Sequence, residues 1–192
     1  MGSNAFYNGV ASSMNGNKLV ALVNGGQIYT SINSGATWTA RDSNRAWVGV
    51  ASSDDGVNLV AVVDAGQIYT SADQGVQWLP RDSNRAWTAV ASSSTGAKLV
   101  AVVGGGQIYT SADFGANWTP RESARDWRSV ASSSDGVNLA AVVFNGQIYT
   151  SVDSGVTWIA RATARDWSGI ASSRDGLKLA ACVYNGKIYS SP

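Results

Sequence analysis

The residue types that most often carry enzyme chemistry are scarce in this chain. Its 192 residues include no histidine, one cysteine (Cys182) and one glutamate (Glu122). Without histidine, no Ser-His-Asp or Cys-His nucleophile can form, and the commonest general base and transition-metal ligand is missing. A single cysteine excludes an intramolecular disulfide and a cysteine-ligated zinc site. We therefore predict no metal and no cofactor.

The remaining candidates for chemistry are arginines and acids that recur at fixed intervals. One arginine series consists of Arg45, Arg85, Arg125 and Arg165. Glu122 stands where earlier copies have Asp42 and Asp82. A glycosidase needs two carboxylates about 5 to 9 Å apart in different environments, whereas acids at equivalent repeat positions have like environments. We therefore predict that the chain is not an enzyme.

The recurrence reflects an internal repeat of forty residues. Trp47, Trp87, Trp127 and Trp167 are each forty residues apart. The repeats are 7–46, 47–86, 87–126, 127–166 and the partial 167–192. No insertion interrupts them, so we predict one domain over 1–192.

Each repeat has the pattern of four β-strands. In residues 47–86 we predict strand a at 47–53, b at 59–63, c at 67–71 and d at 76–81, followed by a link at 82–86. Strand b is apolar on both faces, which is typical of a strand covered on both sides. Gly-containing turns separate the strands, and no segment keeps a 3.6-residue period.

Four antiparallel strands in about forty residues are typical of a β-propeller blade. We predict an all-β, five-bladed propeller whose last blade lacks strand d. Pro80 and Pro120 place d outermost, because proline within a sheet belongs on an edge. The missing d leaves strand c exposed at 187–191, and such an edge can pair with another chain. We expect a monomer, with a dimer through the fifth blade as the alternative.

The turn between c and d has the most specific motif, Ser-x-Asp-x-Gly-x-x-Trp. Its acidic position is Asp73, Asp113 and Asp153, with Asn33 in the first copy, and its aromatic position is Trp38, Trp78, Trp118 and Trp158. The pattern resembles the Asp-box, or bacterial neuraminidase repeat, of sialidases, sortilin-type receptors, some glycan-cleaving enzymes and photosystem II assembly factors. We interpret the aspartates as structural: the carboxylate accepts backbone N–H bonds across the turn, and the tryptophan packs over the hairpin.

The resemblance also implies what a sialidase would need: an arginine cluster, a tyrosine nucleophile with its glutamate, and an acidic proton shuttle. Here the arginines recur once per blade, as scaffold residues do, and Glu122 lies at an ordinary repeat position. High identity between copies is typical of an engineered or recently amplified array. Cys182 takes the place of core valines, so we expect it in the core.

The b–c turns and d–a links are predicted to share one end of the sheets and to form the richer candidate binding surface. Candidate ligand-binding residues are Phe144, Asn145, Tyr184, Asn185, Arg45, Arg85, Arg125 and Arg165. An aromatic ring beside amide and guanidinium donors suits a sugar or a peptide. The alternative is that the arginines are structural. They would then lie over a neighbouring blade's tryptophan or pair with acids such as Asp42.

A net charge of +1 argues against nucleic-acid binding. No apolar run reaches the roughly 18 residues of a membrane helix, and the Met-Gly-Ser start does not resemble a signal peptide. We predict a structural scaffold or interaction module. The alternatives are a lectin-like module and a protein-assembly factor that binds a polypeptide.

Overall fold

A computed structural model describes residues 6–191, and these residues form fifteen β-strands. In chain order the strands are β1 (Tyr7–Ser12), β2 (Leu19–Ser31), β3 (Thr39–Ser52), β4 (Leu59–Val63), β5 (Gly66–Ser71), β6 (Leu79–Arg85), β7 (Trp87–Ser92), β8 (Leu99–Ser111), β9 (Thr119–Ser132), β10 (Leu139–Val143), β11 (Gly146–Ser151), β12 (Ile159–Arg165), β13 (Trp167–Ser172), β14 (Leu179–Val183) and β15 (Ile188–Ser190). Within 6–191 there is no helix long and apolar enough to cross a membrane.

The strands build five antiparallel sheets, one for each repeat. Sheets 1 to 4 have the four strands a, b, c and d, and within residues 6–191 sheet 5 consists of β13, β14 and β15. β2 and β8 each contain both strand b and strand c of their sheet. β3 and β9 each run from strand d of one sheet into strand a of the next. Strand b of sheet 2 has the predicted bounds.

Strand d begins later than the sequence predicted and extends further. In sheet 2 it is β6, Leu79–Arg85, so residues 76–78 belong to the turn and the predicted link is largely strand. A register shift lies between Gly66 and Ile68 opposite this strand. Asp82 there has a φ of 48°, and the Gln67 side-chain amide donates to the Asp82 carbonyl at 2.9 Å. The bulge lets the strand continue, which turn residues alone did not reveal.

The core consists of layers between successive sheets, because strands b and c carry apolar side chains on both faces. One face of sheet 2 presents Val60, Val62 and Ile68, and it packs against Trp87 and Tyr109 of sheet 3. The same pairing joins sheet 1 to 2 and sheet 3 to 4, and a smaller version joins sheet 4 to 5. Each interior sheet is therefore covered on both sides.

The a–b turns of the five sheets are linked by backbone hydrogen bonds. Met14 N–H donates to the Asp54 carbonyl at 2.8 Å, and Asp54 N–H donates to the Ser94 carbonyl at 2.7 Å. The series continues from Ser94 to Ser134 and from Ser134 to Arg174. The Arg174 guanidinium donates to the Asp54 carboxylate at 3.2 Å, which joins sheet 5 to sheet 2. These turns therefore converge.

No other part of residues 6–191 covers the outer faces of sheets 1 and 5. Val10 is 75% exposed, whereas its equivalents Val90 and Val130 are buried. Ile188 is 78% exposed, and Cys182, which the sequence placed in the core, is only half-buried because it lies on this same face. A closed ring of five would bring these two faces together, so ring closure stays a prediction.

Candidate functional site

The c–d turns form a self-contained hydrogen-bonded corner. In sheet 2, the Ser71 hydroxyl donates to Asp73 Oδ1 at 2.8 Å, and that oxygen also accepts from Gln77 N–H at 2.9 Å. Gly75 N–H donates to Ser71 Oγ, and the Trp78 indole N–H donates to the Gly75 carbonyl at 3.0 Å. Asn33 accepts the equivalent bond from Thr37 N–H at 2.9 Å. The motif residues are thus engaged with one another.

Hydrogen bonds of this kind lower the pKa of Asp113 and Asp153, two of the Asp-box carboxyl groups. The Asn117 backbone N–H, its side-chain amide and the Ser111 hydroxyl lower the pKa of Asp113 to about 2. Thr157, through its hydroxyl and backbone N–H, and then Ser151 lower the pKa of Asp153 to about 2. A carboxyl group with such a pKa is a poor general acid near neutral pH. This environment suits a structural carboxylate.

The four link arginines lie over aromatic rings of the next sheet. Arg85 Cζ is 4.4 Å from the Tyr109 ring centroid and 5.9 Å from that of Trp87. Arg85 Nε is also 3.4 Å from the Asp82 carboxylate. Arg45, Arg125 and Arg165 lie over Tyr69, Tyr149 and Tyr189 in the same way. Their binding role stays a prediction, since each already makes a sheet-to-sheet contact.

Asn145 and Asn185 have a local conformational reason to be asparagine. Their φ angles are 53° and 51°, in the left-handed region, and Gly105 has 71° at the equivalent position. Asparagine tolerates this region better than most residues do. The turn geometry therefore favours asparagine at both positions without a ligand, although Ala65 holds the same position in sheet 2 with a φ of 53°.

Exposed and half-buried side chains lie where the b–c turns of sheets 4 and 5 meet the d–a links; Arg128 and Tyr184 are exposed, and Asp126, Phe144 and Asp166 are half-buried. Phe144 N–H donates to the Asp126 carbonyl at 2.9 Å, and Tyr184 N–H donates to the Asp166 carbonyl at 2.8 Å. Arg128 Nη2 is 2.9 Å from the Asp126 carboxylate, and Arg128 Cζ lies 5.0 Å from the Phe144 ring centroid. We call Asp126, Arg128, Phe144, Asp166 and Tyr184 the link patch.

The link patch combines predicted residues with others that the sequence analysis missed. It contains the predicted Phe144 and Tyr184, and Tyr184 is 62% exposed. Arg128 was missed; its position differs in every copy, and the equivalent residues are Asn8, Val48, Thr88 and Ser168. Comparing copies position by position for such variation would have found it. The patch can stack on a ligand and both donate to and accept from it.

Polar grooves separate sheets at the opposite end. One groove of about 460 Å³ between sheets 3 and 4 includes Lys98, Asp113, Asn117 and Arg121. Lys98 Nζ donates to Ser154 Oγ at 3.1 Å, and Arg121 Nε donates to Thr110 Oγ1 at 3.0 Å. In the described part of the chain, no three His, Cys, Asp or Glu side chains are grouped to hold a metal ion. The groove is thus bordered by groups that already have partners.

Comparison with solved structures identifies the architecture. The chain superposes on YCF48 bound to D1 peptide with a TM-score of 0.74 and 17% identity over 100% of this chain and 66% of that one. It superposes on YCF48 from Cyanidioschyzon merolae with a TM-score of 0.73 and 17% identity over 98% of this chain and 67% of that one. The fold is that of a β-propeller. These relatives are Asp-box-type propellers.

A GH74 enzyme from Niastella koreensis is similar as well, with a TM-score of 0.72 and 20% identity. This similarity covers 96% of the present chain and 30% of the enzyme. The chain thus spans about two thirds of the YCF48 structures and less than a third of this GH74 enzyme. No protein-family model and no curated protein sequence matches it. Identities this low establish the fold alone.

Proposed function

We propose that this propeller is a non-enzymatic interaction module that binds an extended polypeptide at the link patch. The observation that carries the proposal is a contrast between two sets of polar residues. The recurring arginines and Asp-box acids contact their own or the next sheet, whereas Arg128, Phe144 and Tyr184 lie at positions whose residue differs in every copy. Positions that vary between copies while the scaffold around them repeats are the best candidates for function.

The composition of the link patch favours a polypeptide ligand. Tyrosine and arginine are enriched among the residues that contribute most to protein–protein binding. Arg128 is held by the Asp126 carboxylate and the Phe144 ring, so its planar guanidinium is already oriented. A pre-oriented side chain loses less conformational entropy on binding. The similarity to a YCF48 that was solved bound to D1 peptide supports the same class of ligand.

The five sheets are, in this proposal, five blades of one propeller, the last of which lacks its outer strand. The packing of each sheet on the next supports the blade assignment. Absence of catalysis is part of the proposal too. The GH74 similarity does not argue against it, because fold similarity carries no active site with it.

A glycan is the second candidate ligand for the same patch. The exposed Tyr184 ring could stack on a sugar, and the Asp126 and Asp166 carboxylates could accept hydroxyl hydrogen bonds. Both hypotheses use the same residues, so the ligand itself must be identified by screening.

The test is a parallel screen of a phage-displayed peptide library and a glycan array. We expect selected peptides, and no glycan, to bind, and we expect Arg128→Ala with Tyr184→Ala to weaken peptide affinity at least tenfold at an unchanged Tm. Asn24→Ala is the matched control, because Asn24 is the exposed equivalent of Tyr184 in sheet 1. Glycan hits that depend on Tyr184 would favour the lectin. If the selected peptides bind the Arg128→Ala and Tyr184→Ala protein as tightly as they bind the Asn24→Ala control, the binding site lies elsewhere.

A further inference from the structure

An apolar cavity opens at the outer edge of sheet 5. Its volume is about 560 Å³, and it lies between sheets 4 and 5. The lining includes Ile148 of sheet 4 and Trp167, Leu179 and Tyr189 of sheet 5. Tyr189 is an edge-on neighbour of Trp167, with ring centroids 5.3 Å apart. The cavity thus has aromatic and aliphatic walls.

In earlier sheets an indole ring occupies the equivalent space. Trp78 packs on the cluster between sheets 1 and 2, with its ring centroid 6.3 Å from that of Trp47. A Cβ placed on Gly75, three residues before Trp78, would lie 2.7 Å from Thr30 Cγ2 and 3.2 Å from Leu59 Cδ1. The same contacts surround Gly115 and Gly155. The Gly-x-x-Trp segment therefore fills a fixed place between sheets.

The residues around that place are less covered in sheet 5. Thr150 and Leu179, forty residues beyond Thr110 and Leu139, both line the cavity. Leu139 is 5% exposed and Tyr149 is 7% exposed, whereas Leu179 and Tyr189 are half-buried. The cavity therefore lies at the place that an Asp-box tryptophan and its glycine occupy in the earlier sheets.

The backbone beside the cavity is an unpaired strand edge. In sheet 4, strand c pairs with both b and d, with Ile148 opposite Arg161 and Thr150 opposite Ile159. In sheet 5, β15 pairs with β14 alone among residues 6–191. A free edge of this kind can accept an added strand through main-chain hydrogen bonds.

We propose that sheet 5 binds an extended peptide of the form Gly-x-x-Trp-x-x-Arg. The tryptophan fills the cavity, and the following residues pair antiparallel with β15. The register of sheet 4 places the peptide arginine opposite Ile188. In sheets 2 and 3 the equivalent arginine donates to Thr70 or Thr110 Oγ1 at 3.0 Å, and Ser190 provides the corresponding hydroxyl.

The ligand must be a segment that is not already part of a folded sheet. A second folded copy of this chain cannot supply it, because its Asp-box indoles already bond to their own turns. These are Trp38, Trp78, Trp118 and Trp158. The partner is therefore an unstructured polypeptide segment with Asp-box chemistry.

The experiment uses the 192-residue chain and a fluorescein-labelled peptide that copies residues 153–165. We expect saturable binding by fluorescence anisotropy, together with a higher Tm. The same peptide with alanine in place of its tryptophan should bind at least tenfold more weakly. Equal affinity of the two peptides, or no binding at millimolar concentration, would overturn the proposal.

An extended version of the protein distinguishes specific strand addition from non-specific adhesion of the peptide to an apolar surface. Residues 153–165 are appended after Pro192, which gives the fifth sheet its own Asp-box and strand d in the register of sheet 4. We expect this chain to melt at a higher temperature and to lose peptide binding at least tenfold. Undiminished binding would show that the peptide attaches elsewhere. Because the link patch lies at the b–c turns, its Arg128→Ala and Tyr184→Ala variant should still bind this peptide.

Discussion

At the scale of single residues, the first tryptophan of each repeat is the largest side chain of the core. Trp87 is 1% exposed, and it contacts Tyr109 and Trp118 at ring-centroid distances of 5.2 and 6.4 Å. It packs between sheets 2 and 3, so it couples two sheets as well as filling one.

Trp87→Ala should lower the free energy of unfolding by about 3 to 5 kcal/mol, because it leaves a large cavity between two sheets. Guanidinium unfolding followed by circular dichroism measures the change. Tyr184→Ala, at a 62% exposed ring, is the comparison and should change stability by less than about 0.5 kcal/mol. Similar effects of the two substitutions would contradict this packing.

The Asp-box carboxyl groups give stability a dependence on acid. The pKa of Asp113 is about 2 when folded, below its ordinary 3.8. The stabilisation from a lowered pKa is present above the unfolded value and is lost as pH falls through the folded one. We therefore expect Tm to fall between about pH 4 and pH 2, with Asp153 contributing in the same window.

Asp113→Asn is the matched variant, because Asn33 already serves this role in sheet 1. It should remain folded at neutral pH, and thermal melts from pH 5 to pH 2 should show a shallower loss of Tm than the original chain shows. An identical acid dependence in both chains would mean that this carboxylate does not contribute.

At the scale of elements, alanine substitutions at two glycines distinguish the cost of backbone strain from the cost of a steric clash. Gly16 has a φ of 73° and Gly75 has a φ of 83°, so alanine at either is strained by about 1 to 2 kcal/mol. An added Cβ meets nothing within 4 Å at Gly16, but at Gly75 it meets Thr30 Cγ2 at 2.7 Å.

Gly75→Ala should therefore destabilise the protein more than Gly16→Ala does, by about a further 1 to 3 kcal/mol from overpacking. Chemical denaturation of both variants gives the comparison. If Gly16→Ala costs as much as Gly75→Ala, the contact between the Asp-box turn and the preceding sheet is looser than described.

Strand order and strand b could be predicted because they follow from apolar alternation and glycine turns, as in Leu59–Val63. The extent of strand d could not. Its bulge residue is Asp82 in one copy, Glu122 in another and Ala162 in a third, all with positive φ. No residue type marks that conformation, so only tertiary pairing reveals it.

Part of the candidate site could be predicted in the same way. The b–c turns were singled out because they vary between copies, and they include the Phe144 and Tyr184 rings. The sequence does not decide whether the link arginines bind a ligand or make structural contacts, because it does not show that Arg85 lies over a tyrosine 24 residues later. Arg128 was not predicted, because it stands outside the two arginine series that recur every forty residues.

At the scale of the whole molecule, the exposure of the outer face of sheet 1 can be tested by substituting aspartate into strand a. Val10 and Val90 hold the same position in strand a, but only Val10 is exposed. Val90→Asp should unfold or strongly destabilise the chain, because it buries an unpaired charge. Val10→Asp should leave Tm nearly unchanged. Strong destabilisation by both would mean that sheet 5 or a second copy covers sheet 1, and chromatography with light scattering would distinguish these.

The packing of each sheet on its sequence neighbours has a consequence for how the molecule unfolds. The core clusters of the described residues join sheet n only to sheet n + 1, and the longer-range exceptions are the exposed contacts of Arg174 with Asp54 and with the Met14 sulfur. Such a chain behaves as a one-dimensional cooperative array, in which total stability is a sum of unit and interface terms. Sheet 5 has one interface and three strands, so it should open first. Native-state amide exchange should then be fastest in β13 to β15 and slowest in the strands of sheet 3. Unfolding would begin at the C-terminal sheet and proceed one sheet at a time.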